Sequence, residues 1–120
     1  MAKILIAEDN LNDLEILVKF SEFLEKHEIT IAVNGEEVLK KADEINPDLI
    51  LMDLHLPFVD GYKAIRLIKS KQNIPIIVIS ACFYADEKEK AFDAGCDDYL
   101  VKPFKLDEFL NIVKKFLPAK

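Results

Sequence analysis

The sequence predicts an α/β fold, a doubly wound five-stranded parallel sheet of order 2-1-3-4-5 with five helices. Three observations predict it. Short aliphatic runs alternate five times with longer amphipathic stretches along the chain. The first, third and fourth runs are apolar without interruption, as is typical of parallel strands covered on both faces. The 120 residues contain no linker or internal repeat, so a single domain over residues 1–120 is expected.

The aliphatic runs predict the five strands. They are Lys3–Ala7, Ile29–Val33, Leu49–Asp53, Ile76–Ser80 and Asp98–Val101. The second run is the most interrupted and is therefore expected at an edge of the sheet. In the order 2-1-3-4-5 the first and third strands flank the point where the strand order reverses. Ligands of such sheets bind beyond the carboxyl ends of the strands at that point.

The amphipathic stretches predict the five helices. They span Asn12–Lys26, Glu36–Ile45, Gly61–Lys71, the stretch that Asp86 caps and Gly95 ends, and Lys105–Leu117, which Pro118 should stop. In the first helix the core-facing stripe is expected to comprise Ile16, Leu17, Phe20 and Leu24.

Composition and charge exclude several classes of protein. The chain is 51% hydrophobic and 32% charged, which describes a globular protein. Its net charge of −6 argues against direct binding of nucleic acid, which needs a basic face. We find no signal peptide and no membrane-spanning run, and so expect a soluble cytoplasmic protein without a membrane partner. Cys82 and Cys96 have no metal-ligand spacing and are expected to be reduced thiols.

Three acidic residues follow the first and third predicted strands. Glu8 and Asp9 come after the first strand, and Asp53 ends the third. Because neighbouring parallel strands end at the same edge, these carboxylates should converge, and like charges this close call for a cation. A small set of oxygen ligands suits Mg²⁺, or Mn²⁺ in its place.

The remaining strand ends add the other groups of a phosphate site. Ser80 ends the fourth strand with a hydroxyl, and Lys102 follows the fifth with an ammonium. Taken singly, each of these residues is most often a turn residue, a helix cap or a surface lysine. Their convergence at the ligand-binding edge favours a site at which Asp53 is the nucleophile that attacks phosphorus.

With these residues in place, the sequence resembles the receiver domain of two-component response regulators, the CheY-like superfamily, over essentially the whole chain. The matching segments are ILIAEDN, PDLILMDLHLPFVDGY, PIIVISA and AGCDDYLVKPF. The resemblance implies a flavodoxin-like fold and a phosphoacceptor switch of a phosphorelay. Transfer of a phosphoryl group from a histidine to this switch would need Mg²⁺. It would alter the surface formed by the fourth strand, fourth helix, fifth strand and fifth helix, which binds partners.

The resemblance also implies a role for each residue of the acidic edge. Asp53 would be the phosphorylated aspartate. Asp9 and Asp53 would bind the metal directly together with the backbone carbonyl of His55, while Glu8 would act through water. Lys102 would pair with Asp53 or with its phosphate. Many members have aspartate where this chain has Glu8, and the longer arm should weaken direct metal contact.

Further roles follow from the same resemblance. Ser80 would donate to the phosphoryl oxygens and move inward on activation, with Tyr99 as the coupled aromatic switch residue. His55 and Cys82 occupy the variable positions that tune hydrolysis of the phosphate. The Lys102–Pro103 peptide bond would be cis.

The implied partners are a histidine kinase or a histidine phosphotransfer protein and a downstream protein of unknown identity. Receivers typically bind the phosphodonor through the first helix. Here Leu11, Leu14 and Val18 lie beside the core stripe, and we expect them to form the docking patch.

Several alternatives stay open. The chain is either a single-domain regulator, which acts by binding another protein, or a receiver cut from a hybrid kinase. A degenerate receiver would bind proteins without phosphorylation. A flavin carrier shares the topology, but its first loop should be rich in Ser, Thr and Gly instead of acidic. A phosphohydrolase would need a second acid at His55, so we expect no enzyme beyond self-phosphorylation and self-dephosphorylation.

Overall fold

The strands form one parallel sheet in the order β2-β1-β3-β4-β5, as predicted. The structure is a computed structural model and describes residues 1–117. The strands are β1 (Ala2–Ala7), β2 (His27–Ala32), β3 (Leu49–Met52), β4 (Ile76–Ser80) and β5 (Asp98–Val101). The helices are α1 (Leu11–Ser21), α2 (Gly35–Ile45), α3 (Gly61–Lys71), α4 (Glu87–Ala94) and α5 (Leu106–Lys114).

The sheet is covered on both faces, which explains the uninterrupted apolar strands. One face carries α1 and α5, whose Leu17 and Phe109 pack on strand residues such as Ile4. The other face carries α2, α3 and α4, and there Ile65 packs on strand residues such as Leu5. Each of these buried side chains stabilises the fold by about 1.5–3 kcal/mol. The central strands thereby hold their carboxyl ends in fixed positions at one edge.

Helix α1 ends at Ser21, five residues before the predicted end at Lys26. The chain leaves the helix through tight turns, in which Leu24 N–H donates to the Ser21 carbonyl at 2.9 Å. These turns bury Leu24, and Lys26 at φ +41° then redirects the chain into the sheet. His27, which directly follows the predicted helix, is the first residue of β2.

Three of the four predicted stripe residues face the core. Leu17 and Leu24 are buried and Phe20 packs edge-on against Phe109, but Ile16 is 43% exposed. Three further residues of α1 extend this core-facing surface. They are Leu14, Val18 and Ser21.

The predicted docking patch is therefore divided between the core and the surface. Leu14 and Val18 are partly buried against the core, whereas Leu11 is 80% exposed. The apolar residues that α1 offers to solvent are Leu11 and Ile16.

The ends of the other elements agree with the prediction to within a few residues. Gly95, at φ +119°, ends α4 as expected. Helix α5 ends at Lys114, three residues before Leu117, because the Phe116 N–H turns back to the Val113 carbonyl. The expected stop at Pro118 lies outside the described residues. Within residues 1–117 no helix is both long and apolar enough to cross a membrane.

Strand β2 is an edge strand, as predicted from its interrupted pattern. Two polar backbone groups near its outer edge are covered by side chains of α2. The Lys41 ammonium donates to the Ile31 carbonyl, and the Val33 N–H donates to a Glu37 carboxylate oxygen at 2.8 Å.

Candidate functional site

The three predicted carboxylates meet where β1 and β3 end. Ala7 and Met52 are paired in register, and the Asp53 N–H donates to the Ala7 carbonyl at 3.0 Å. Glu8 and Asp9 leave β1 at the same level. One oxygen from each carboxylate lies within 4.8 Å of the others. We call Glu8, Asp9 and Asp53 the acidic rim.

Lys102 lies against this rim, as predicted, and holds three carboxylates at once. Its Nζ lies 2.8 Å from Glu8 Oε1, 2.9 Å from Asp13 Oδ2 and 3.0 Å from Asp53 Oδ2. The three N–H donors of an ammonium match these three acceptors. The Lys102 backbone N–H donates to the Ser80 carbonyl. The Lys102–Pro103 peptide bond is cis, as the resemblance implied.

Asp13 was not predicted from the sequence. It lies in the first turn of α1, where an acidic residue usually serves only the helix dipole. Its contact with Lys102 depends on how α1 is placed over the end of β5. Local sequence gives no signal of that placement.

Burial and neighbouring charges shift the pKa values of Glu8 and Lys102. Burial raises the pKa of Glu8 to about 7, and the Asp53 charge adds to the rise, while the hydrogen bond from Lys102 opposes it. Burial lowers the pKa of Lys102, but its hydrogen bonds to Glu8, Asp13 and Asp53 outweigh that effect and raise it overall. Glu8 therefore keeps its proton to a higher pH than a free glutamate does.

The donor set of the rim fits Mg²⁺. All its side-chain ligand atoms are carboxylate oxygens, and Asp9 is exposed, so bound water can complete the coordination shell. Asp53 is held at both oxygens, because Oδ2 faces Lys102 and Oδ1 accepts the His55 N–H at 2.8 Å. His55 thus contacts Asp53 through its backbone.

Ser80 and Tyr99, the predicted switch residues, are brought together through a third residue. Ser80 Oγ donates to Glu87 Oε2 at 2.8 Å, and Tyr99 Oη donates to the same oxygen at 2.5 Å. All three side chains are buried. Burial, followed by the hydrogen bond to Glu87, raises the pKa of Tyr99 well above its usual range.

Glu87 is the principal residue that the sequence analysis missed. It lies in the first turn of α4 and is fully buried, and its Oε1 lies 2.8 Å from His55 Nε2. We call Glu87, Ser80, Tyr99 and His55 the Glu87 cluster. A signal was present in the spacing, because Glu87, Ala91 and Ala94 at i, i+4 and i+7 form the buried face of α4.

Cys82, a predicted hydrolysis-tuning residue together with His55, lies next to this cluster. Its N–H donates to Ser80 Oγ at 3.3 Å, and its backbone has φ +59°. The His55 ring also contacts the exposed Phe83, with ring centroids 5.4 Å apart. Cys82 therefore contacts Ser80 directly, and His55 is linked to Ser80 through Glu87. Cys82 and Cys96 are free thiols.

Comparisons with known proteins agree with this geometry. A family model described as the response regulator receiver domain matches residues 4–114. Response regulator ArlR of Staphylococcus saprophyticus is 40% identical over 120 residues, which cover 98% of this chain and 53% of that protein. Hybrid signal transduction histidine kinase G of Dictyostelium discoideum is 39% identical, over 97% of this chain and 4% of that protein.

The chain spans about half the length of the curated response regulators that it matches. A similar solved structure is the receiver domain of a sensor histidine kinase from Pseudomonas aeruginosa PAO1. It is 34% identical, covers 96% of each chain and has a TM-score of 0.86. That structure has a magnesium ion coordinated in its active site cleft.

Proposed function

The chain belongs to the response regulator receiver domain family of two-component systems, and from that premise we propose that Asp53 accepts a phosphoryl group from a histidine. The observation that carries the proposal is the position of Asp53. Its carboxylate lies at the end of β3 in contact with the Lys102 ammonium, and two further acids stand beside it. These are the groups that phosphoryl transfer requires, a nucleophile and fixed charges around it.

The proposed reaction is an in-line displacement at phosphorus. An Asp53 carboxylate oxygen attacks the phosphorus of a phosphohistidine while the P–N bond breaks. The bonding electron pair leaves with the imidazole nitrogen, and the product is an acyl phosphate on Asp53. Lys102 is placed to offset charge on the phosphoryl oxygens. Because positioning and charge do most of the work, few protein groups are needed.

The metal that we propose for the rim is Mg²⁺, with Mn²⁺ as a substitute. Asp9 and Asp53 would hold it with the His55 carbonyl, and Glu8 would act through water. When bound, the ion supplies positive charge that offsets the carboxylates and the phosphoryl oxygens. A bound cation would favour the ionised form of Glu8, whose pKa burial otherwise raises to about 7.

The product is a signal. The added dianion favours movement of Ser80 toward it and thereby biases α4 and the adjoining β4, β5 and α5 surface, which then binds a downstream protein. We propose no turnover of other substrates: the chain catalyses only its own phosphorylation and dephosphorylation.

The phosphodonor is a histidine kinase or a histidine phosphotransfer protein. A cleft of about 360 Å³ adjoins Lys102 and includes Ile16 in its wall. With Leu11, Ile16 forms the apolar surface that α1 offers to a donor helix. Leu11→Ser should slow transfer from a phosphorylated phosphotransfer domain and leave transfer from acetyl phosphate unchanged. Leu67→Ser, an exposed position on α3, is the matched control.

The test of the proposed function is intact mass after incubation with acetyl phosphate and Mg²⁺. Wild type should gain one phosphate, and Asp53→Asn should gain none. Asp60→Asn is the matched control, since asparagine caps a helix as well as aspartate does. Wild type that binds Mg²⁺ but gains no mass from acetyl phosphate or from a phosphotransfer domain would contradict the proposal in favour of the degenerate receiver.

A further inference from the structure

The Glu87 cluster places the two switch hydroxyls on one oxygen. Ser80 Oγ and Tyr99 Oη both lie within hydrogen-bond distance of Glu87 Oε2. A serine or tyrosine hydroxyl carries a single donor hydrogen. Neither residue can therefore donate to Glu87 and to another acceptor at the same time.

The Glu87 carboxylate is held by hydrogen-bond donors from three side chains. Within residues 1–117 no lysine or arginine forms an ion pair with Glu87, and its three donors come from Ser80, Tyr99 and His55. Each donor removed from a fully buried carboxylate is costly to replace, because no water reaches it. Glu87 therefore stabilises the arrangement in which all three donors point toward it.

We propose that Glu87 is a positioning residue that restrains Ser80 in the unphosphorylated state and couples its release to Tyr99. This inference rests on the proposed function of Asp53. A phosphoryl group on Asp53 competes with Glu87 for the one donor of Ser80. When Ser80 turns to the phosphoryl oxygens, Oε2 loses one of its two donors and is left to Tyr99 alone.

The consequence reaches three elements at once. Glu87 begins α4, Tyr99 lies in β5, and His55 follows Asp53 in the loop after β3. His55 also donates its backbone N–H to Asp53, so Glu87 is linked to the phosphoacceptor by a second route. Transfer of the Ser80 donor therefore changes the balance of contacts that holds α4 against β5.

Beryllofluoride, a phosphoryl mimic that binds carboxylates with Mg²⁺, provides the first test. Glu87→Ala should bind it about tenfold to a hundredfold more tightly than wild type, because only the unliganded state loses the Ser80–Glu87 bond. Glu87→Gln keeps the shape and one acceptor oxygen without the charge, and should lie between the two. Glu89→Ala is the matched control, since Glu89 is exposed in the same helical turn.

A double-mutant comparison separates this restraint from a general structural role. In a Ser80→Ala background, the Glu87 substitutions should change beryllofluoride affinity by no more than about twofold, because the competing donor is gone. Folded Glu87→Gln that binds the mimic no more tightly than wild type would overturn the inference alone. Wild type that does not bind the mimic with Mg²⁺ would overturn the proposed function, and the inference with it.

Coupling to Tyr99 is read by fluorescence. The chain has three tyrosines and no tryptophan, so Tyr62→Phe with Tyr84→Phe leaves Tyr99 as the reporter. A hydrogen-bonded carboxylate quenches phenol emission. In this background beryllofluoride should lower Tyr99 emission as Oε2 is left to the phenol, and Glu87→Gln should raise the emission and abolish the response. If beryllofluoride does not change Tyr99 emission in the protein that retains Glu87, the coupling is overturned.

Discussion

The acidic rim and the Glu87 cluster stabilise their carboxylates by different means. Both hold carboxylates at the carboxyl ends of the strands. At the rim Lys102 is shared among Glu8, Asp13 and Asp53, so negative charge is in excess and a further cation is favoured. In the Glu87 cluster one carboxylate takes three donors and no lysine or arginine of the described chain.

The difference teaches which region responds to which change. The rim is open to solvent through Asp9 and responds to whatever supplies positive charge. In the cluster Glu87, Ser80 and Tyr99 are buried, and within residues 1–117 no buried side-chain nitrogen or oxygen lacks a hydrogen-bond partner. This buried part of the cluster responds when a donor is taken from it.

The largest expected effect comes from removing the cation of the rim. Lys102→Met leaves Glu8 and Asp53 buried without an ammonium, and should lower the free energy of unfolding by about 3–5 kcal/mol. Mg²⁺ should restore part of the loss. Urea denaturation with and without Mg²⁺ measures both effects. Lys115→Met, which removes an exposed ion pair with Asp98, should cost less than about 1 kcal/mol, and an equal loss in the two variants would contradict the comparison.

The next effect is a pH dependence of the free energy of unfolding that comes from Glu8 in the rim. The raised pKa of Glu8, about 7 against an ordinary value of 4.5, means that the folded state keeps a proton that the unfolded chain releases. This contribution to stability is fully present below about pH 4.5 and is lost as pH rises through about 7, by about 3 kcal/mol at most. Urea denaturation from pH 4.5 to 8 should show the fall in wild type.

Glu8→Gln should remove that fall, whereas Glu15→Gln, at an exposed position on α1, should keep it. Mg²⁺ should flatten the dependence in wild type, because a metal favours the ionised carboxylate. A fall that persists in Glu8→Gln would assign the titration to another group.

A smaller effect is expected from taking one donor out of the Glu87 cluster. Tyr99→Phe removes the phenol hydrogen bond to Glu87 and should cost about 1.5–3 kcal/mol. Unlike the loss in Lys102→Met, this one should be independent of Mg²⁺, since both Glu87 oxygens already accept side-chain donors. Thermal or urea unfolding of Tyr99→Phe beside Tyr84→Phe, which changes an exposed tyrosine, makes the test. Recovery by Mg²⁺ would show that the two regions are not separate.

The smallest effect is expected at the outer edge of the rim. Asp13→Asn removes one of three carboxylates from Lys102, but the Asp13 side chain is 36% exposed, so the cost should be about 0.5–1 kcal/mol. When the unfolding measurement is repeated in high salt, the difference in stability between Asp13→Asn and wild type should be smaller still. A loss as large as that of Lys102→Met would place Asp13 among the essential members of the rim.

The contrast also explains what the sequence could predict. The alternation of apolar runs and amphipathic stretches was enough for a parallel sheet covered on both faces. The strand order was then taken as the one common to five-stranded sheets of this kind. The rim was predictable as well, since Asp53 and Lys102 follow strands whose ends must meet. These inferences need only the topology and the position of a residue relative to a strand end.

The remainder depends on contacts that topology does not specify. Glu87 resembles any acidic residue of a first helical turn until α4 is packed on the sheet, and Asp13 gains its role only from the placement of α1. Ile16 was assigned to the core beside Leu17 from its apolar character, but the placement of α1 on the sheet leaves it 43% exposed.

The covered edge of β2 has a consequence for how the protein behaves in concentrated solution. An exposed strand edge is a template on which a second molecule can add a strand, and such growth leads to fibres. Lys41 and Glu37 occupy the Ile31 carbonyl and the Val33 N–H that an incoming strand would need. The same two side chains place opposite charges along that edge. A strand that pairs with this part of the edge would first have to break both contacts.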